Sequence, residues 1–274
     1  MLSYKHGYHA GNHADVLKHI ILIYLYNLEK KHNKSMIYID THSGSGVYKY
    51  TSKYMDKNKE YKYGIKKIEK YEGKNLLINN YLRIIGNLSK NFYPGSPYII
   101  AKISNHKDKL FFYELHKNEY ENLKKNLIKF TNIKIINSDG FDSIYKYPNY
   151  YGSPFIFIDP SYEIKDDFQK IYHILDNLEN KYEKCKILMW YPILDFSEND
   201  LFIETIRKKG IKNIINIELP IKSEDEKKGM LGSGLILINF NNKLIFKNLK
   251  LVAKDLQLIL KEDDDVYGVK IRYL

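Results

Sequence analysis

Apolar residues between positions 13 and 31 recur at helical spacing, with Val16, Leu17, Ile20, Ile21, Tyr24 and Leu25 sharing one face. That period predicts a helix from Asn12 or His13 to about Lys31. Met36-Ile37-Tyr38-Ile39-Asp40 is short and apolar until its last residue, the pattern of a buried strand. It opens into a glycine-containing turn, Thr41-His42-Ser43-Gly44-Ser45-Gly46.

The pattern then changes. Residues 48–92 are lysine-rich, carry Ile65, Ile68, Leu76, Leu77, Leu82, Ile85 and Leu88 at helical spacing, and offer no run of their own that reads as a strand. They are expected to form a helical insertion subdomain, leaving 1–47 and 93–274 as the main domain. From Tyr93 onward strands and helices alternate. Strands are expected at 110–114, 133–136, 155–159 and 187–190, with helices at about 118–130, 166–181 and 198–209. Ile214 to Leu219 and Gly234 to Phe240 follow without a convincing helix between them and should pair antiparallel, before a last helix from about Lys247 to Lys261. Apolar strands followed by amphipathic helices give an α/β fold, a Rossmann-like and mostly parallel sheet ending in an antiparallel hairpin.

Composition narrows this picture. In 274 residues, 44% are hydrophobic, enough for one large domain with a core. No run approaches the roughly 18 apolar residues of a membrane span, and the first residues lack the basic-then-apolar order of a secretory signal. The single cysteine, Cys185, excludes an intramolecular disulfide and a cysteine-based zinc cluster. A cytoplasmic protein is expected. The formal charge of +11 points to a polyanionic partner. All but three of the 44 basic residues are lysine (the exceptions are Arg83, Arg207 and Arg272), and with abundant Asn, Ile and Tyr this reads partly as a compositional bias.

In an open parallel sheet, ligands bind beyond the carboxyl ends of the strands. Four strands here end in an acid: Asp40, Glu114, Asp139 and Asp159. The turn after the first strand has Gly44 and Gly46 but not the third glycine of a dinucleotide fingerprint. Glu114 suits hydrogen bonds to two ribose hydroxyls, and Asp139 suits an adenine edge. Neither loop offers a phosphate cradle, and S-adenosylmethionine has no phosphate. The sharpest feature is Asp159-Pro160-Ser161-Tyr162. An exocyclic adenine amine is a poor nucleophile because its lone pair is delocalised into the ring. The Asp159 carboxylate and the Pro160 carbonyl can accept its two N–H bonds, and Tyr162 offers a ring to stack on an extruded base. Positioning an already activated methyl donor supplies most of the rate.

Two smaller features have bland readings beside the functional ones. His9 and His13 are four apart, but no cysteine or carboxylate pair completes a metal site, so no metal is expected. Tyr93-Pro94-Gly95-Ser96-Pro97 reads as a turn opening a short helix, where Ser96 is either a cap or a ligand contact.

With these residues in view, the chain closely resembles the RlmJ family, bacterial methyltransferases that make N6-methyladenine in 23S ribosomal RNA. The resemblance runs nearly end to end and rests on Met1-Leu2-Ser3-Tyr4, the block from His9 to His19, Tyr38 to His42 with Gly44 and Gly46, Tyr93 to Pro97, Ser138 to Phe141, Trp190-Tyr191-Pro192, and Gly229-Met230 with Ser233-Gly234. It implies a Rossmann-like S-adenosylmethionine-dependent methyltransferase with a helical insertion. Cofactor contacts are implied for His19, His42, Gly44, Ser96, Glu114, Asp139, Gly140 and Asp159, with Asp159 the catalytic acceptor. Tyr4 and Lys18 would lie with Tyr162 at the target adenine. The expected partner is 23S rRNA, protein-free or in an early assembly intermediate, met by a monomer. The family's usual tetrapeptide is Asp-Pro-Pro-Tyr, and Ser161 replaces its second proline. The alternatives are a DNA adenine-N6 methyltransferase, which uses the same tetrapeptide, and a catalytically inactive RNA-binding relative.

Overall fold

The computed structural model describes residues 6–86, 88, 90–146, 153–162, 166–177, 185–223, 229–240 and 242–274. In chain order the elements are α1 (His13–His32), β1 (Ile37–Asp40), β2 (Val47–Lys49), α2 (Lys53–Asn58), α3 (Ile65–Ile68), α4 (Leu76–Ile85), β3 (Phe92–Pro94), α5 (Ser96–Ile103), β4 (Lys109–Tyr113), α6 (Lys117–Asn126), β5 (Ile133–Ile136), α7 (Gly140–Lys146), β6 (Phe155–Ile158), α8 (Asp166–Asp176), β7 (Lys186–Ile193), α9 (Phe196–Lys208), β8 (Ile214–Pro220), β9 (Gly232–Ile238), α10 (Lys243–Leu260) and β10 (Lys270–Tyr273). They fall into two compact units, Met1–Asp159 and Pro160–Leu274.

In the first unit β6, β1, β4 and β5 lie in that order, every pair parallel. The carboxyl ends of all four therefore share one edge. Helix α1 begins where Asn12 caps it, its side chain accepting from Asp15 N at 3.0 Å; such a cap contributes about 1 kcal/mol. Most of α1 is buried, including Asp15, Lys18 and His19 alongside Val16, Leu17 and Ile20. Tyr26 of α1 forms an aromatic cluster with Tyr38, Phe112 and Phe155 of the strands. The buried Tyr26 hydroxyl donates to Asp108 Oδ2 at 2.9 Å, so this polar tip is not stranded in the core.

Between β2 and β3 the chain is helical, as its spacing predicts, and α4 packs on α1 through a face that includes Ile78, Tyr81 and Ile84. The expectation that this stretch has no strand needs correction at its ends. Val47–Lys49 and Phe92–Pro94 pair antiparallel as a two-stranded ribbon. Three residues are too few for an alternating pattern to register in a sequence.

In the second unit β9 lies between β7 and β8 and runs against both, so β7 and β8 share a direction. The antiparallel pairing of β8 with β9 agrees with expectation. The hairpin does not end the sheet, because β10 adds antiparallel to β8 as an unanticipated edge strand. Here Tyr191, Asn199, Asn216 and Glu218 are buried together. Glu218 Oε1 accepts from Asn199 Nδ2 at 3.1 Å and from the Tyr191 hydroxyl at 3.3 Å, and Arg272 of β10 donates to the same carboxylate and to Asn216 Oδ1. Together the two units make an α/β, Rossmann-like fold. Among the described residues no helix is long and apolar enough to cross a membrane.

Candidate active site

The site of interest is the strand-end edge of the first unit. Asp159 directly follows β6, and its side chain is only 11% exposed. Both carboxylate oxygens accept from Lys18 Nζ, at 2.9 and 2.7 Å. Lys18 lies one helical turn after Asp15, whose Oδ1 it meets at 3.0 Å. Asp15 Oδ2 in turn accepts from Gly11 N at 2.9 Å and lies 3.0 Å from His6 Nε2. A line of alternating charge thus runs from His6 through Asp15 and Lys18 to Asp159.

Burial works against every charge in this line, and the neighbours decide the outcome. Desolvation would lower the Lys18 pKa, but Asp159 and Asp15 outweigh it and raise it, so the ammonium persists. Desolvation would raise Asp15, yet His6 and Lys18 hold it well below the ordinary carboxylate range. Burial also disfavours a charged His6, and Asp15 reverses that effect, leaving its pKa raised. Asp159 is different. Burial raises its pKa, and the opposing pull of Lys18 and His6 does not fully cancel the rise. The net result is a carboxylate paired with one ammonium and more basic than an exposed aspartate.

Asp40, at the end of β1, faces this group. Ser96 Oγ donates to its Oδ2 at 2.7 Å, so Ser96 ties the start of α5 to β1 and makes no side-chain cap. Burial chiefly, with the charge of Asp159, pushes the Asp40 pKa up to about 7 against the lowering by Ser96. His19, wholly buried, has its pKa lowered to about 3 by burial, and its Nδ1 lies 2.8 Å from the Tyr93 hydroxyl.

The other strand ends carry the remaining sequence candidates. Glu114 follows β4, with Oε2 accepting from Gly44 N at 2.8 Å and Oε1 from His116 N at 2.6 Å. Burial raises its pKa despite these bonds. Gly44 has φ +58°, and a Cβ there would lie 2.1 Å from the Tyr48 hydroxyl, so only glycine fits the turn. Asp139, after β5, accepts from Phe141 N at 2.8 Å and caps α7. Gly140 packs so closely on the loop after β1 that a Cβ would fall 1.9 Å from the Thr41 carbonyl oxygen. His42 lies in that loop, half-buried, with its ring edge-on to Phe141 at 4.9 Å.

The remaining candidates each have their own surroundings. Tyr162, in the second unit, has φ +54° and donates from its hydroxyl to Trp190 O at 2.5 Å, while its ring packs on Phe168 and Trp190. Pro160 is buried, and Tyr4 lies outside the described residues. His9 Nδ1 meets Glu60 Oε1 at 2.9 Å, and among the described residues no three His, Cys, Asp or Glu side chains converge as a metal site. Sequence reasoning missed Asp15 as the hub. Its signal was available, an acid and a lysine three apart on the apolar face of a helix.

Acids stand at all four of these strand ends, and loops 41–46, 114–116 and 137–140 contain no lysine or arginine. That donor set fits a ligand rich in hydroxyls and carrying positive charge, and does not fit phosphates. Residues 33–262 match the family model described as ribosomal RNA large subunit methyltransferase D, RlmJ. The chain belongs to the RlmJ family. It is 32% identical to ribosomal RNA large subunit methyltransferase J of Haemophilus influenzae over 245 residues, 87% of each chain. The Escherichia coli protein of the same name is also 32% identical, over 244 residues and 87% of each chain. A crystal structure of a Legionella pneumophila protein superposes with a TM-score of 0.87 at 30% identity, covering 97% of this chain and 98% of that one. The chain is therefore a methyltransferase of this family.

Proposed function

We propose that this enzyme transfers a methyl group from S-adenosylmethionine to the N6 amine of an adenine in 23S ribosomal RNA. The observation that carries the reading is Asp159, a buried strand-end carboxylate whose two oxygens already accept from a nitrogen donor. When bound, S-adenosylmethionine would supply a methyl group on a positively charged sulfur. Glu114 would take its ribose hydroxyls and Asp139 its adenine edge. Gly44 and Gly140 would let backbone approach it, and His19, His42 and Ser96 would line its place.

Asp159 would accept one N–H of the target amine and the Pro160 carbonyl the other, drawing the nitrogen toward the pyramidal geometry that frees its lone pair. Lys18 would keep Asp159 ionised until the amine arrives. Tyr162 is carried as the stacking ring and Tyr4 as a neighbour of the target base, both from the family resemblance. Residues 48–92 are read as an insertion into the methyltransferase domain. The chain would act on rRNA as a monomer in the cytoplasm.

The test is tritiated S-adenosylmethionine with protein-free 23S rRNA, followed by nucleoside mass spectrometry. Label recovered as N6-methyladenosine is expected. Label on DNA or protein, with none on RNA, would overturn the reading, and DNA alone would favour the alternative that shares the tetrapeptide.

A further inference from the structure

Helix α10 carries Lys243, Lys247, Lys250 and Lys254, spaced by four, three and four residues. At 3.6 residues per turn they fall within an arc of about 60°. None has an acid three or four residues away, and among the described residues none is held in an ion pair. Four lysines elsewhere are treated differently. Lys59 meets Asp56, Lys66 meets Glu69, Lys124 meets Glu121 and Lys170 meets Asp167, each within one helical turn. The charge on α10 is thus uncompensated, four exposed ammonium groups on one face with no acid placed to pair them.

The edge strand extends the same face. Lys250 and Lys254 line a concavity of about 360 Å³ together with Lys270 and Arg272 of β10. Glu218 and Asp200 hold these two strand cations in place, Lys270 meeting Asp200 at 3.3 Å and Arg272 bound to Glu218. Beside them Tyr273, 50% exposed, stacks on Phe246 with centroids 4.6 Å apart. A row of flexible ammonium groups flanked by fixed cations and an open aromatic ring suits a phosphodiester backbone better than any isolated anion.

We infer that the α10–β10 face is a phosphate-backbone docking surface for the RNA substrate. It rests on the proposed action on RNA and adds to it a contact that fixes orientation without reading bases. Its lysines neutralise phosphates, so their contribution appears as released counterions.

The test compares the native chain with Lys243→Gln/Lys247→Gln/Lys250→Gln/Lys254→Gln, using a fluorescein-labelled 23S rRNA fragment and anisotropy between 50 and 200 mM salt. All four side chains are exposed, so the variant should fold, which circular dichroism checks. Kd should rise by about tenfold or more, and the slope of log K against log salt should flatten by roughly one per lost phosphate contact. KM for RNA should rise with Kd, while kcat at saturating RNA stays unchanged. A control that neutralises Lys59, Lys66, Lys124 and Lys170 removes the same net charge and should flatten the slope far less. Affinity within about twofold of native and an unaltered slope would overturn the inference and leave the face to an acidic protein partner. A native chain that binds RNA but methylates none would defeat the proposed activity, while the slopes would still judge the face.

Discussion

Each compact unit buries a cluster of charged and polar side chains, and the two are built for different ends. In the first, His6, Asp15, Lys18 and Asp159 come from a 3-10 turn, a helix and a strand end. In the second, Glu218 gathers Arg272, Asn199 and Tyr191 from the middle of β8. Both satisfy the rule that a buried charge must be paired. The difference lies in where the acid sits. Glu218 projects from within a strand and fastens β10 to the sheet, whereas Asp159 stands just past a strand, where backbone pairing stops and a ligand can approach. A buried ion pair alone says little about function. Its position relative to the strand end says much.

The comparison makes unequal demands on substitution. Asp159→Ala should lower methyl transfer by about three orders of magnitude with the circular dichroism spectrum unchanged, measured by label incorporation into rRNA. Lys18→Met leaves Asp15 and Asp159 buried without their ammonium and should cost about 3–5 kcal/mol in urea unfolding. Adding Asp159→Asn to it should recover part of that stability and none of the activity. If the double variant regained neither, the line of alternating charge would not be the source of the loss. Glu218→Gln should cost about 1–3 kcal/mol, less because Arg272 is partly open to water, and should leave kcat per folded molecule as it was. A fall in kcat there would erase the distinction between the two clusters.

The smallest effect concerns pH. Asp40 has its pKa raised from 3.8 to about 7 by burial, so the folded state holds a proton that the unfolded chain has lost. Its contribution to stability is complete below about pH 4 and declines as pH rises through about 7. Asp40→Asn, neutral throughout, should remove this decline from a plot of Tm against pH.

Much of the fold could be read from periodicity, because α1, β1, β5 and β6 are long or apolar enough to repeat their pattern. The ribbon of β2 and β3 and the helix α7 could not, being short and stabilised by contacts distant in sequence. β10 eluded the same reading because half-exposed edge residues such as Lys270 and Arg272 do not alternate in hydrophobicity. The strand-end acids of the site were legible as types and places. The line joining His6 to Asp159 was not, since 141 residues separate Lys18 from its partner. Ser96 shows the limit well: a serine at a helix start reads as a cap, and only the fold reveals that its hydroxyl serves Asp40.

The ribbon at the base of the helical segment bears on how such chains change length. Lys49 and Phe92 face each other across it, and Tyr50 N donates to Asn91 O at 3.0 Å, so the segment leaves and re-enters at adjacent points. Residues can be added or removed beyond that neck without shifting β1 or α5, as in any loop grafted onto a hairpin. What resists exchange is α4, whose Ile78 and Tyr81 cover α1, together with Glu60, which meets His9 and accepts from Asn12, and Ile65, whose N–H donates to Gly11 O. A replacement module would have to return both an apolar patch to that helix and these polar contacts to the turn that precedes it.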